Sequence, residues 1–240
     1  MNWNSKIRET QIGGISVYMM AAEDISDEEL NLLRRCMPAR MKKADSFRFE
    51  EGRSLSAAAG YLMWTVLGLA SETELLAAEH GKPYAKGYPP FSVSHSKGMA
   101  VLAVAGKEAG PGSGCGIRRL GVDVEMIRER SLSVAKRAFT QSERLWLEGS
   151  RDLPEKLERF YRMWTLKEAV MKADGRGLGI DPLSFETTGL MQGQALELEG
   201  NRWIAFSQRV GDYMISVCRD LPEGSPLQII QHETPQITQR

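Results

Sequence analysis

The chain has 240 residues, enough to bury a sizeable core as one large domain or as two compact halves of roughly 100 residues each. Its Lys+Arg and Asp+Glu counts balance at 31 each, so net charge offers no general attraction for nucleic acid, and an anionic ligand has to be met by local charge. The opening MNWNSKIRETQIGG lacks an apolar signal-like run, and the longest apolar run, MAVLAVAG, is far short of the roughly 20 residues of a membrane helix. The expectation is a cytoplasmic protein with no membrane partner. Cys36, Cys115 and Cys218 are odd in number and widely spaced, a pattern of neither a disulfide framework nor a zinc site, which leaves reduced thiols.

In chain order, the first chemistry-bearing stretch is ARMKKADSFRFEEGRS, with Arg40, Lys42, Lys43, Arg48 and Arg53. Within RSLSAAAGYLMWTVLGLA, residues 53–70, Leu55, Ala59, Leu62, Val66 and Leu69 recur at three- and four-residue intervals, which predicts a buried helix with Ser54 as a possible cap. GKPYAKGYPP, containing Lys82 and Pro83, reads as a turn-laden loop; FSVSHS and MAVLAVAG then read as a hairpin through Lys97-Gly98. Five glycines and a proline in GKEAGPGSGCGIRR mark a linker, and the halves are expected at 1–112 and 113–240. In the strand-like RRLGVDVEMIRERS, Leu120, Val122, Val124 and Met126 share the buried parity, so Asp123 and Glu125 share the opposite face. PEKLERFYRMWTLKEAVMKADG is a second long helix, with Pro154 in its first turn and Gly175 at its end. YLMWT at 61–65 recurs as YRMWT at 161–165, which hints at a duplicated fold; positions 68 and 72 are Gly and Glu in the first copy, and 168 and 172 are Glu and Lys in the second.

Glu168 and Lys172 are one helical turn apart, and most pairs of that spacing are solvated salt bridges worth a few tenths of a kcal/mol. With Asp123 and Glu125 added, Glu168 makes a third carboxylate, and three such oxygen donors suit a hard cation such as Mg²⁺, which prefers one or two carboxylates together with waters and phosphate oxygens. A phosphate-bearing substrate follows, and the basic residues upstream are its candidate contacts, although a basic run is more often a solvated helix face. His95 alternates with Phe91 and Val93, where a core histidine is the commoner reading than a ligand. No phosphate-loop, dinucleotide, zinc-helix or nucleophile-elbow pattern occurs.

GKPY, FSVSHS, GVDVE and WTLKEAVMKADGRGL, in that order, resemble the 4′-phosphopantetheinyl transferases, in particular the larger surfactin-synthetase-activating type with two similar halves in one chain. The likeness covers roughly residues 35 to 190. The resemblance implies an α+β pseudo-dimer, monomeric as a chain, each half a long helix on a small, mostly antiparallel sheet, with the active site between the halves. It implies Mg²⁺-dependent transfer of the 4′-phosphopantetheine arm of coenzyme A to a serine of an acyl or peptidyl carrier protein, releasing adenosine 3′,5′-bisphosphate. By the same resemblance Asp123, Glu125 and Glu168 are the metal ligands and Lys172 meets the pyrophosphate. Arg40, Lys43, Arg53, Ser94 and His95 contact coenzyme A phosphates, and Lys82 and Pro83 border the adenine. The proton acceptor is either Glu168 or a metal-polarised water that Glu168 orients. Carrier contacts are expected at 170–190, with Lys172 and Arg176 steering and Met171 and Leu178 seating the partner. Two alternatives stay open: another Mg²⁺-dependent phosphodiesterase or phosphotransferase, and a non-catalytic coenzyme A or carrier-protein binding module.

Overall fold

Alternating apolar residues build the frame that positions the acids. The computed structural model describes residues 6–106, 116–129 and 132–221. Its first part runs β1 (Arg8–Ile12), β2 (Ile15–Ala21), α1 (Asp27–Cys36), α2 (Pro38–Asp45), α3 (Glu50–Leu67), β3 (Leu75–Ala77), β4 (Pro83–Ala85), β5 (Phe91–Ser96) and β6 (Met99–Val104). Its second part runs β7 (Leu120–Met126), α4 (Ala135–Ala138), α5 (Gln141–Glu148), α6 (Leu153–Asp174), β8 (Leu196–Leu198), β9 (Asn201–Val210) and β10 (Tyr213–Asp220).

Two four-stranded antiparallel sheets result, ordered β1-β2-β6-β5 and β7-β10-β9-β8. In both, a strand is followed by a long helix and then a hairpin whose second strand lies beside the first: β6 next to β2, and β10 next to β7. One parity of each sheet meets the other sheet in a shared apolar cluster that includes Val17, Val101, Val122, Val124, Ile215 and Val217. The opposite parity is covered by a helix. Met20, Ala100 and Leu102 pack with Ala58, Ala59 and Leu62 of α3, and Ala205 and Cys218 pack with Leu166, Ala169 and Val170 of α6. The layers are therefore helix, sheet, sheet, helix, an α+β arrangement with antiparallel sheets.

The repeated YxMWT lies in the two long helices, and both copies bury their Tyr and Met. The first helix starts earlier than expected, at Glu50 behind an N-cap Phe49 whose side chain makes no capping bond, so Ser54 lies inside it. It ends on Gly68 in the left-handed region. α6 is capped at Asp152, whose carboxylate accepts the Glu155 N–H, and stops at Gly175 with φ 100°, a conformation that costs a Cβ-bearing residue energy. GKPYAKGYPP departs from the loop expectation because Pro83–Ala85 pairs with Leu75–Ala77. Cys36 and Cys218 are free thiols, as expected; Cys115, most of the linker and the 222–240 tail lie outside the described residues.

Candidate active site

Gly121 begins the site. A Cβ there would stand 2.0 Å from the Ala169 carbonyl oxygen and 2.4 Å from the Ala173 nitrogen, so α6 lies directly on the β7 backbone. That approach carries Glu168 and Lys172 over the face that holds Asp123 and Glu125. Lys172 Nζ donates to Asp123 Oδ1 at 2.7 Å and to Ser94 Oγ at 2.8 Å. Ser94 Oγ in turn donates to the same Asp123 oxygen at 2.8 Å. Asp123 is buried, whereas Lys172 keeps part of its surface, so the pair sits at the floor of an opening and not in a sealed core.

The opposite wall comes from α2 and α3. Glu72 accepts the backbone N–H groups of Ala39 and Arg40 at 2.8 and 2.7 Å, fixing the first turn of α2 where amides have no helical partners. Arg40 is thereby laid along α3, with Nε donating to the Ser56 carbonyl at 3.2 Å and its side chain passing Gly60. Burial lowers its pKa from the ordinary value, yet a guanidinium stays protonated. His95, on the helix-facing parity of β5, is held below its usual pKa by desolvation and by the cations Arg40, Lys172 and Lys43.

Arg40, Lys43, Pro83, Ser94, His95, Asp123, Glu125, Glu168 and Lys172 line one cleft of about 460 Å³. Nine residues singled out in the sequence thus come together. Phe47, Ser56, Gly81, Val93 and Trp164 complete the lining without having been singled out. Two expected residues do not line it. Lys82 Nζ donates to the carbonyl oxygens of Leu120 at 2.8 Å and Ala173 at 3.4 Å, bracing GKPY against the β7 and α6 backbones, and burial pulls its pKa down to about 8. It borders a neighbouring cavity of about 820 Å³, because an ammonium with carbonyl partners is drawn inward. Arg53 turns along its own helix end, to Glu50 Oε2 at 2.6 Å and the Phe47 carbonyl at 3.0 Å. Met171, expected on a partner-facing surface, is 3% exposed in the α6 core because its helix parity faces β9 and β10; Leu178 is 89% exposed.

The electrostatics concentrate negative charge on the α6 side. Desolvation, then the charges of Asp123 and Glu125, raise the Glu168 pKa, opposed by Lys172. Asp123 Oδ2 is buried with no hydrogen-bond partner, an acceptor left for a ligand. Oxygen donors with one orphaned carboxylate oxygen fit a hard divalent cation. Among the described residues, however, no three His, Cys, Asp or Glu side chains are gathered closely enough to form a ready metal cage. The expected set Asp123, Glu125 and Glu168 is not gathered into such a cage, and Asp123 is paired with the Lys172 ammonium.

The serines at 92, 94 and 96 are the signal that a residue-by-residue reading underuses. All three point to β7: Ser92 Oγ accepts the Val122 N–H at 3.0 Å, Ser94 bonds Asp123, and Ser96 Oγ donates to Glu125 Oε2 at 2.6 Å. Their period-two spacing was visible in FSVSHS; their targets were not.

An α+β chain whose two sheets bring a row of acids against a row of cations is a candidate enzyme for an anionic substrate. Residues 119–218 match the model of the 4′-phosphopantetheinyl transferase superfamily, and the relatives that the chain resembles carry the same name. The chain is 31% identical over 121 residues to 4′-phosphopantetheinyl transferase gsp of Aneurinibacillus migulanus, covering 50% of this chain and 46% of the relative. To 4′-phosphopantetheinyl transferase Sfp of Bacillus subtilis (strain 168) it is 28% identical over 159 residues, covering 64% and 66%. To the L-aminoadipate-semialdehyde dehydrogenase-phosphopantetheinyl transferase of Homo sapiens it is 26% identical over 224 residues, covering 87% and 71%. The chain thus spans between 46% and 66% of the length of the first two relatives.

Proposed function

We propose that this protein transfers the 4′-phosphopantetheine group of coenzyme A to a serine of an apo acyl or peptidyl carrier protein, with Mg²⁺, releasing adenosine 3′,5′-bisphosphate. The observation that carries the reading is the single cleft lined by Arg40, Lys43, Ser94 and His95 from the first half and Asp123, Glu125, Glu168 and Lys172 from the second. The same reading makes the chain a pseudo-dimer of halves 1–112 and 113–240, a monomer acting in the cytoplasm. The matching strand–helix–hairpin order of the two sheets supports it.

In the transfer the serine oxygen bonds the phosphorus that carries pantetheine, the pyrophosphate bridge breaks, and the adenosine bisphosphate leaves with the bridging oxygen. Such transfers depend on positioning and on neutralising phosphoryl charge. Arg40, Lys43 and His95 hold the nucleotide phosphates on one wall, and Lys172 reaches the pyrophosphate from the other. Asp123, Glu125 and Glu168 are the residues that would hold Mg²⁺, which supplies charge neutralisation at the transferring group. Glu168, on the cleft wall one turn from Lys172, takes the serine proton or orients the water that does. Phosphodiester hydrolysis would need the acids but gives no role to the basic wall that faces them.

The test is to incubate the purified chain with coenzyme A, Mg²⁺ and several apo carrier proteins and weigh each carrier. A gain of one phosphopantetheine group is expected; no gain on any carrier rejects the reading.

A further inference from the structure

We infer that Ser96 is a positioning residue that sets the Glu125 carboxylate, and that the row Ser92, Ser94, Ser96 lets the first sheet dictate the spacing of the acids on the second. The inference rests on the proposed function only in naming a divalent cation as what the acids hold.

β5 and β7 belong to different sheets and share no backbone ladder. They run side by side in the same direction, since residues 92, 94 and 96 meet 122, 123 and 125 in increasing order. Alternate residues in a strand repeat every ~7 Å, so a serine row and an acid row of equal pitch stay in register over two rungs. Ser92 anchors that register by accepting the buried Val122 N–H. On the next rung Ser94 Oγ is used twice, donating to Asp123 and accepting from Lys172.

Ser96 stands at the end of β5, where Glu125 is only half-buried and its longer side chain has more rotamers than Asp123. Like charge at Asp123 would swing that carboxylate toward solvent. A hydroxyl bond to a carboxylate is charge-assisted and stronger than a neutral one, and at 2.6 Å the Ser96 bond holds Glu125 on the side of Asp123. Partners that orient cation-binding carboxylates typically shift affinity 10–100-fold when removed, as for other outer-shell contacts.

The experiment titrates Mn²⁺ into the intact chain by calorimetry, without coenzyme A or carrier. Ser96→Ala should weaken Mn²⁺ binding about tenfold at an unchanged melting temperature. Ser96→Thr, which keeps the hydroxyl, should restore it. Ser92→Ala, which loosens the register at Val122 without removing a carboxylate's partner, should lower the melting temperature and weaken Mn²⁺ binding less than Ser96→Ala does. The inference is overturned by wild-type Mn²⁺ affinity in Ser96→Ala, by failure of the Thr variant to restore binding, by a wild-type chain that takes no Mn²⁺, or by a Ser96→Ala chain that does not fold. Mn²⁺ binding in the expected pattern with no carrier modified would sink the activity and keep the positioning role; carrier modification with unaltered binding in Ser96→Ala would do the reverse.

Discussion

The Cα of Gly121 lies so close beneath α6 that a methyl group on it would stand 2.0 Å from the carbonyl oxygen of Ala169. The obstruction is helix backbone, which cannot step aside as a side chain can. Gly121→Ala should lift α6 off β7, destabilise the fold by about 3 kcal/mol or more, and abolish carrier modification even where protein remains folded. Urea unfolding and the mass of the carrier check both halves of this; a stable, active variant would mean that α6 does not need that approach.

Lys167 and Glu143 form an ion pair at 2.9 Å with side chains 2% and 0% exposed. Lys167 also donates to the Pro182 and Phe185 carbonyls at 2.7 Å, and Glu143 accepts the Thr187 N–H and hydroxyl. The network binds the segment after α6 to α5 and α6. Lys167→Met leaves a buried carboxylate without its cation and should cost roughly 3–5 kcal/mol by urea unfolding. Arg151→Ala, which removes the 84% exposed partner of Glu155, should cost less than about 1 kcal/mol. Equal losses in the two variants would refute the network's role.

Lys82 carries a pH signature of the opposite sign to a stabilising cation. Its folded pKa is about 8 against an ordinary 10.5, so between those values the unfolded chain binds more protons and stability rises with pH. Below about 8 the full cost of the buried charge is present, and above 10.5 it is gone. Stability of the wild type minus that of Lys82→Met should therefore increase by about 3 kcal/mol across this window. A flat difference would show that the ammonium is hydrated where it sits.

Glu72 fixes the first turn of α2, and through it the wall that carries Arg40 and Lys43. Glu72→Ala should cost about 1 kcal/mol of stability, as loss of a helix cap does. Carrier-modification kinetics should show a several-fold rise in KM for coenzyme A at nearly unchanged kcat, since it loosens binding residues and leaves the acids alone. A fall in kcat with constant KM would place α2 in the chemical step.

Period and composition reach a good part of this molecule. The 3.6-residue stripe locates α3 and α6, and alternation locates the β5–β6 hairpin and the buried parity of β7, because burial imposes the same period that the element has. Asp123, Glu125, Glu168 and Lys172 are found the same way, as polar residues out of phase with an apolar face. β3 and β4 escape detection because three-residue strands are too short for a period to show. Phe49 as the N-cap of α3 is invisible too, since it uses no capping side chain.

Sequence alone thus located the two long helices, the β5–β6 hairpin and the side chains that carry the charge. It could not decide their pairings. Lys172 is one turn from Glu168 on its own helix, yet its ammonium goes to Asp123 and Ser94, 49 and 78 residues away. Lys82, expected to border the adenine, bonds two carbonyls between β7 and α6, and Arg53 bonds Glu50. The physical reason is common to all three. A periodic pattern records which face of an element is buried, whereas a side chain's partner depends on distances and desolvation that exist only once the sheets and helices have met.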